Sequence, residues 1–239
     1  MSQTLGLAVS RPAALRPSAV SLEGRTVLLV RLSPAHADQL FSLVGGDDET
    51  KARLWTYMMD GPWNTIEAFR DVVKAKSTST DPFFFAIKDA TTCRVVGQIS
   101  LMSIVPEHLR VEIGSVLFSP DLQRSTGATE AVYLLVQYAL QVLGYRRIEW
   151  KCNVFNQASR RAALRLGFTF EGIFRQHMVV KGRSRDTAWY SIVKEEWEGN
   201  HIRRSLELWL QETNFDVEGI QREALGEIRN KFKEGTYNG

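Results

Sequence analysis

The run from Val111 to Glu130 concentrates the chemistry of this chain. Val111-Glu112-Ile113-Gly114-Ser115-Val116-Leu117-Phe118 reads as a strand, and Ser119-Pro120-Asp121-Leu122 leads on to Gln123-Arg124-Ser125-Thr126-Gly127-Ala128-Thr129-Glu130 at the head of a helix. A strand that delivers small residues into a helix start builds an anion site. The first helical amides lack internal acceptors, and they sit at the positive end of the helix dipole. Small side chains at Ser125, Thr126, Gly127 and Ala128 let a phosphate approach the backbone, and Arg124 adds a charge-assisted donor. The same residues also suit a plain capped helix start with Glu130 in its favourable first turn. On the strand, alternation sets Glu112 opposite Val111 and Ile113. It is either a general base or an exposed carboxylate paired with a neighbour such as Arg110.

Further along, Asn156 and Ser159 stand where another helix begins, and either suits its N-cap. Arg160, Arg161 and Arg165 follow at helical spacing, as solvated charges or as cations for a phosphate. His36, His108, His177 and His201 are scattered without metal-ligand spacing, and Cys93 and Cys152 lie far apart, so no metal site is expected. Cys152 reads as a half-buried strand cysteine rather than a nucleophile. Trp55, Tyr57, Met58, Met59, Trp63 and Phe69 suit an acceptor cleft and a packed core equally well.

The chain that must position these groups has 239 residues, is 44% hydrophobic and 24% charged, and carries a net charge of +3. Those proportions suit a soluble globular protein with an ample core. A surplus of three charges is too dilute for nucleic-acid binding, and no apolar run is long enough for a transmembrane helix. Two distant cysteines suit a reducing compartment, and a cytoplasmic location is expected. Residues 1–21 contain Arg11 and Arg16 and no acid, faintly like a transit peptide. Pro12 and Pro17 break any amphipathic helix there, so the segment reads as an extended lead-in.

Thr26 to Val30 is a β-branched and apolar run, followed by helical patterns over Ala35–Val44, Glu49–Met59 and from Thr65. Phe83–Ile87, Val95–Leu101 and Val111–Phe118 read as an antiparallel meander. A long helix covers Gly127–Leu143, with Ala131, Leu135, Tyr138, Ala139 and Val142 on one face and Gly144 as its stop. A strand (Arg147–Cys152), a helix (Ala158–Leu166, closed by Gly167) and two strands (Thr169–Val180 and Thr187–Val193) complete an α/β pattern, with a mixed sheet and helices packed on it. Past Trp197, the spacings Ile202, Leu206, Trp209, Leu210 and Ile220, Leu225, Ile228, Phe232 predict two amphipathic helices. These either dock on the core or serve a dimer contact or a lid.

The stretches Ile113–Pro120, Gln123–Ala131 and Leu143–Glu149 resemble the GNAT N-acetyltransferase superfamily. Asn156 to Phe168 with Glu171-Gly172-Ile173-Phe174-Arg175, and Lys181 to Ile192, resemble its RimJ/RimL-like branch, whose named members acetylate protein N-termini. The resemblance covers 22–197, which makes that span one catalytic domain and 198–239 a helical C-terminal extension. It implies a mixed, mostly antiparallel sheet with flanking helices, acetyl-CoA as cofactor, and direct transfer to a primary amine. The acceptor is then a protein N-terminus or a small amine. It also implies that Glu112 is the catalytic base and that Ser159 serves the departing sulfur. Asn156 would contact pantetheine, a backbone N–H at Leu117 or Phe118 would face the thioester, and Gln123 to Thr129 would hold the pyrophosphate. Arg161 would reach the 3′-phosphate. Two positions depart from the family pattern: Thr126 replaces a usual glycine, and Ala163 replaces a usual tyrosine acid. They keep open a second reading, a non-catalytic acyl-CoA-binding regulatory module. A homodimer is compatible with either.

Overall fold

The computed structural model describes residues 5–199 and 201–236. Its centre is an eight-stranded sheet: β1 (Leu22–Glu23), β2 (Val27–Arg31), β3 (Phe83–Asp89), β4 (Val95–Val105), β5 (Arg110–Phe118), β6 (Arg147–Asn153), β7 (Thr169–Val180) and β8 (Arg183–Val193). They lie in the order β1-β2-β3-β4-β5-β6-β8-β7. Neighbours run antiparallel almost throughout, so the fold is α/β with a mixed, mostly antiparallel sheet. The exception is β5 and β6, which run parallel. A parallel pair needs a crossover, supplied by α4 (Thr126–Gln137) and a π turn at Tyr138–Val142.

Each strand's alternation separates two cores. One face carries Leu29, Ile99, Val111, Ile113, Ile148 and Trp150 against α4, α5 (Gln157–Leu166), α6 (Lys194–Gly199), α7 (Ile202–Trp209) and α8 (Leu225–Lys233). On the other, Phe84, Ala86 and Leu117 pack against α1 (Ala37–Val44) and α3 (Ile66–Thr78). Burying such faces is what holds the layers together. The two amphipathic C-terminal segments dock on the larger core, with Ile202, Leu206, Trp209, Leu225 and Ile228 buried in it. The lead-in segment also docks: Ala14 N–H donates to Pro106 O (3.1 Å) and Leu15 N–H to Leu143 O (2.8 Å).

Several boundaries differ from those the spacing predicts. The helix expected over Glu49–Met59 ends at Arg53 as α2 (Glu49–Arg53), because Trp55 turns inward and its indole N–H donates to Val44 O (2.7 Å). In the long helix the π turn inserts an extra residue per turn, which rotates Val142 out of the buried stripe to 63% exposure. Strand β8 begins at Arg183, four residues early, because its first residues pair with β7 without an apolar alternation to announce them. Ile220 lies outside α8 and is exposed. No helix of the described residues is long and apolar enough to cross a membrane.

Candidate active site

The site begins where the sheet divides. β5 pairs with β6 only from Arg110 and Arg147 to Ile113 and Trp150. β6 continues along β8 to Asn153, and β5 continues along β4 to Phe118. One edge of 114–118 therefore has no strand beside it. A bulge sits in the same stretch, since Gln98 pairs with Leu117 while Ser100 pairs with Gly114. Its extra residue, with Ser115 at φ 49°, reverses the alternation. Glu112 and Leu117 consequently share the face of α1 and α3, while Val116 and Phe118 pack on the larger core.

The turn after β5 lies at the end of this opening. Gln123 ties it back to the strand, its Nε2 donating to Phe118 O (3.0 Å). Ser125 is the N-cap of α4, accepting from Ala128 N–H (3.2 Å) and donating to Leu122 O (2.7 Å). That cap consumes the Ala128 amide and leaves the Thr126 and Gly127 amides as the helix-start donors that face outward. Thr126 is the first helical residue, and the left-handed conformation falls instead on Arg124, at φ 60°. Threonine in place of glycine therefore carries no backbone strain at this position. Gly127 is needed for close packing, since a Cβ there would come within 2.7 Å of Val27 Cγ1.

Two residues read from the sequence as part of this turn are turned inward. Thr129 is buried, and its hydroxyl accepts from Arg165 Nη1 (2.9 Å). The Arg165 guanidinium in turn lies 4.6 Å from the Trp209 ring centroid, so it stitches α5 to α4 and α7. Glu130 is buried as well, and its carboxylate accepts from the amides of Arg25 (2.8 Å), Thr26 (2.6 Å) and Val27 (3.1 Å). This latch fixes the start of α4 against the start of β2.

Across the opening, α5 presents Asn156 and Ser159. Asn156 is the N-cap, its Oδ1 accepting from Ser159 N–H (3.1 Å). Ser159 Oγ accepts from Trp150 Nε1 (2.9 Å). Burial pushes the neighbouring Cys152 thiol up, and a hydrogen bond with Ser159 opposes part of that rise. Arg160 is committed to Tyr190 Oη (3.1 Å) and Val154 O (3.3 Å), whereas Arg161 is exposed. Ala163 is fully buried under the helix.

Glu112 lies at the root of the opening and is 7% exposed, so the surface ion pair that the sequence allows is a buried one here. Its Oε2 accepts from Lys151 Nζ (2.8 Å) and Ser103 Oγ (3.0 Å). Oε1 faces Gly114, where a Cβ would stand 3.5 Å away. Lys151 also meets Glu149 (2.8 Å), the residue beside Glu112 in the parallel register, and Arg147 holds Glu149 (2.9 Å) and Glu171. Arg110 pairs with Glu149 at 3.6 Å rather than with Glu112. Burial raises the Glu149 carboxyl, but the hydrogen bonds from Lys151 and Arg147 outweigh this and hold it below the ordinary carboxylate range. The Arg147 hydrogen bond lowers Glu171 in the same direction.

Over this face the segment after α2 meets the β7–β8 hairpin, through Lys181 Nζ donating to Trp55 O (2.8 Å) and Arg185 Nη1 against Met59 Sδ (3.5 Å). Tyr57 Oη donates to Phe155 O (3.1 Å) in the same segment. The aromatic set read from the sequence thus divides: Trp55 and Phe69 are core, Met58 and Trp63 pack on it, and Tyr57 and Met59 are exposed. Sequence reasoning missed Lys151, Glu149, Arg185 and Trp189. The available signal was alternation in Glu149-Trp150-Lys151, which becomes meaningful once β6 is known to lie parallel to β5.

The unpaired edge of β5 and the helix-start amides fit a ligand that combines an amide-bearing arm with a pyrophosphate. The GNAT acetyltransferase domain model matches residues 26–169. The chain belongs to this family; it is an acetyltransferase, and its acetyl donor is acetyl-CoA. A GCN5-related N-acetyltransferase from Brucella melitensis is 42% identical, covers 92% of this chain and 99% of its own, and superposes with a TM-score of 0.88. The N-acetyltransferase YoaA of Bacillus subtilis is 29% identical over 175 residues, 72% of this chain and 96% of its own length. The fold extends to the microcin C7 self-immunity acetyltransferase MccE, solved with acetyl-CoA and AMP, at 24% identity and a TM-score of 0.61 over 71% of this chain and 93% of that one.

Proposed function

We propose that this enzyme moves the acetyl group from acetyl-CoA directly to the α-amine of a polypeptide N-terminus, as its resemblance to the RimJ/RimL-like branch implies. The observation that carries the choice of acceptor is the charge of this face of the sheet, which we read as the acceptor groove. Its carboxylates, Glu112 and Glu149, are already matched by Lys151, Arg147 and Arg110, and the hairpin adds Lys181, Arg183 and Arg185. A polyamine would enter against that charge, whereas a polypeptide end brings one amine and a chain of carbonyls. An α-amine, with a pKa of about 7.7–8.0, is also partly neutral at physiological pH, unlike a lysine at about 10.4.

Acetyl-CoA supplies an activated thioester. The Thr126 and Gly127 amides with Arg124 hold its pyrophosphate, Asn156 and the free edge of 114–118 hold the pantetheine arm, and Arg161 reaches the 3′-phosphate. Of the two candidate strand amides, Leu117 and Phe118, it is the Phe118 N–H on the open edge that donates to the developing oxyanion, since Leu117 pairs with Gln98 of β4. Glu112, held by Lys151 and Ser103 through Oε2, uses Oε1 to take the amine's proton, directly or through water. Ser159, steadied by Trp150, donates its hydroxyl proton toward the departing sulfur.

Free-CoA release should be measured with a peptide bearing a free N-terminus, the same peptide blocked at its N-terminus but containing lysine, and spermidine. Release with the first alone is expected. Release confined to the blocked peptide or to spermidine overturns the acceptor assignment. Tight acetyl-CoA binding without release from any amine would instead make the protein a non-catalytic acyl-CoA-binding module.

A further inference from the structure

On the groove face of β8, alternation places Arg185, Thr187, Trp189 and Ser191 in one row, beside Lys151 and Glu149 of β6. Most polar groups in this row are accounted for. Ser191 Oγ donates to Glu171 (2.7 Å), Thr187 Oγ1 meets His177 Nδ1 (3.0 Å), and Lys151 joins Glu112 to Glu149. Two N–H donors are left over. Arg185 Nε and Trp189 Nε1 are both shielded from solvent, and neither has an acceptor among the described residues.

Orphaned donors of this kind are costly; others, such as Trp63 Nε1 and Trp197 Nε1, stand singly elsewhere in the chain, whereas these two fall on one face of one strand beside the Glu112 cluster. Among the described residues, the Arg185 guanidinium has no carboxylate within hydrogen-bond reach. Its Nη1 meets the thioether of Met59, a weak acceptor on a flexible side chain that is 54% exposed. Burial lowers the Arg185 pKa, and Glu112 opposes that only through electrostatic attraction. Trp189 is held rigidly, stacked on Phe174 at 4.5 Å and lying under Lys151 at 4.1 Å.

We propose that Arg185 and Trp189 form an acceptor subsite for a carboxylate carried close to the reacting amine, with Met59 moving aside to admit it. This rests on the reading of the groove as the acceptor site. A guanidinium fork and, four residues along the same strand face, a neutral N–H offer donors to the two oxygens and single charge of a carboxylate. A phosphate dianion would bring a second charge toward Glu112 with no second free cation in the row to meet it. The carboxylate has two sources: an acidic side chain in the first two residues of a polypeptide, or the α-carboxylate of a free amino acid.

The test uses the full-length, CoA-loaded protein and calorimetry. Its ligands are an N-acetylated peptide with aspartate in second position, the matching asparagine peptide, N-acetylglutamate and N-acetylglutamine α-amide. In the wild type the acidic member of at least one pair should bind about tenfold more tightly or better. Arg185→Met should bring that ratio to near one, Arg185→Lys should keep part of it, and Trp189→Phe should lower it while keeping the ring. A preference in the peptide pair assigns the carboxylate to a polypeptide, and one confined to the amino-acid pair assigns it to a free amino acid; both support the subsite. Equal binding within both pairs, or a ratio unmoved by Arg185→Met, overturns it and leaves the acceptor reading of the groove intact. If no amine is acetylated, that reading falls, while the affinity ratios still decide whether the carboxylate subsite exists.

Discussion

The two faces of the paired segment of β5 and β6 belong to the same residues' backbone and could hardly differ more. Toward α4 and α5 they show Val111, Ile113, Ile148 and Trp150, all within the larger core. Toward the groove they show Glu112, Glu149, Lys151 and Arg147 in a continuous ion-pair ladder. The first face is non-directional: its stabilisation scales with apolar area removed from water. The second is directional, and desolvation makes it costly wherever a charge lacks its partner. A strand with period two can satisfy both demands at once, so stability and chemistry are set one residue apart. Changes on the two faces should therefore separate in their effects.

The largest effect is expected at Glu112. Glu112→Gln should lower turnover of the folded protein by about 10²–10⁴, with a stability cost of about 1–3 kcal/mol from the lost Lys151 and Ser103 contacts. Turnover within about tenfold of the wild type would take the base role away from Glu112. On the opposite face, Ile148→Ala should cost about 2–5 kcal/mol in denaturant unfolding, while the protein that remains folded keeps its activity. Loss of activity without loss of stability there would break the division between the faces.

Ser159→Ala should slow turnover by about 10-fold to 10², in line with one lost hydrogen bond to a developing charge. The same variant should leave acetyl-CoA affinity nearly unchanged, because Asn156 rather than Ser159 supplies the α5 cap. Stability against pH sharpens the contrast further. Glu149 and Glu171 titrate below their ordinary value of about 4.5 in the fold, so their contribution is present above that value and is lost as pH falls through the lower, folded one. The thermal midpoint should accordingly hold steady above about pH 5 and fall below it. Glu149→Gln should lower the midpoint at neutral pH, by about 1–3 kcal/mol of stability, and make the acid decline shallower. The smallest effect is at the head of α4, where Ser125→Ala should cost about 0.5–2 kcal/mol through the lost cap on Ala128.

Much of the molecule was legible in the residues themselves. The mixed sheet, the meander of β3 to β5 and the glycine stop at Gly167 follow from local periodicity and turn chemistry; Gly167 takes φ 101° where the helix ends. Glu112 and Ser159 were singled out by position along the chain, and the fold sets both beside the divided sheet. The turn was only partly legible, because small residues look alike in sequence whether they face a ligand or a core. Gly127 packs on Val27 and Thr129 holds Arg165, contacts between segments about 100 and 36 residues apart.

Sequence by itself therefore determined the family, the cofactor and the identity of the groups that local pattern exposes: a strand, a small-residue turn, a capped helix. Only the tertiary structure decided which carboxylate is paired with which cation, and that the sheet opens after Ile113 and Trp150. It alone showed that Arg185 and Trp189 share the strand face of Lys151 and Glu149 and carry N–H groups without acceptors among the described residues. The physical reason is that periodicity and capping act within one or two turns of chain, whereas strand register, burial and charge matching depend on residues brought together from distant parts of it.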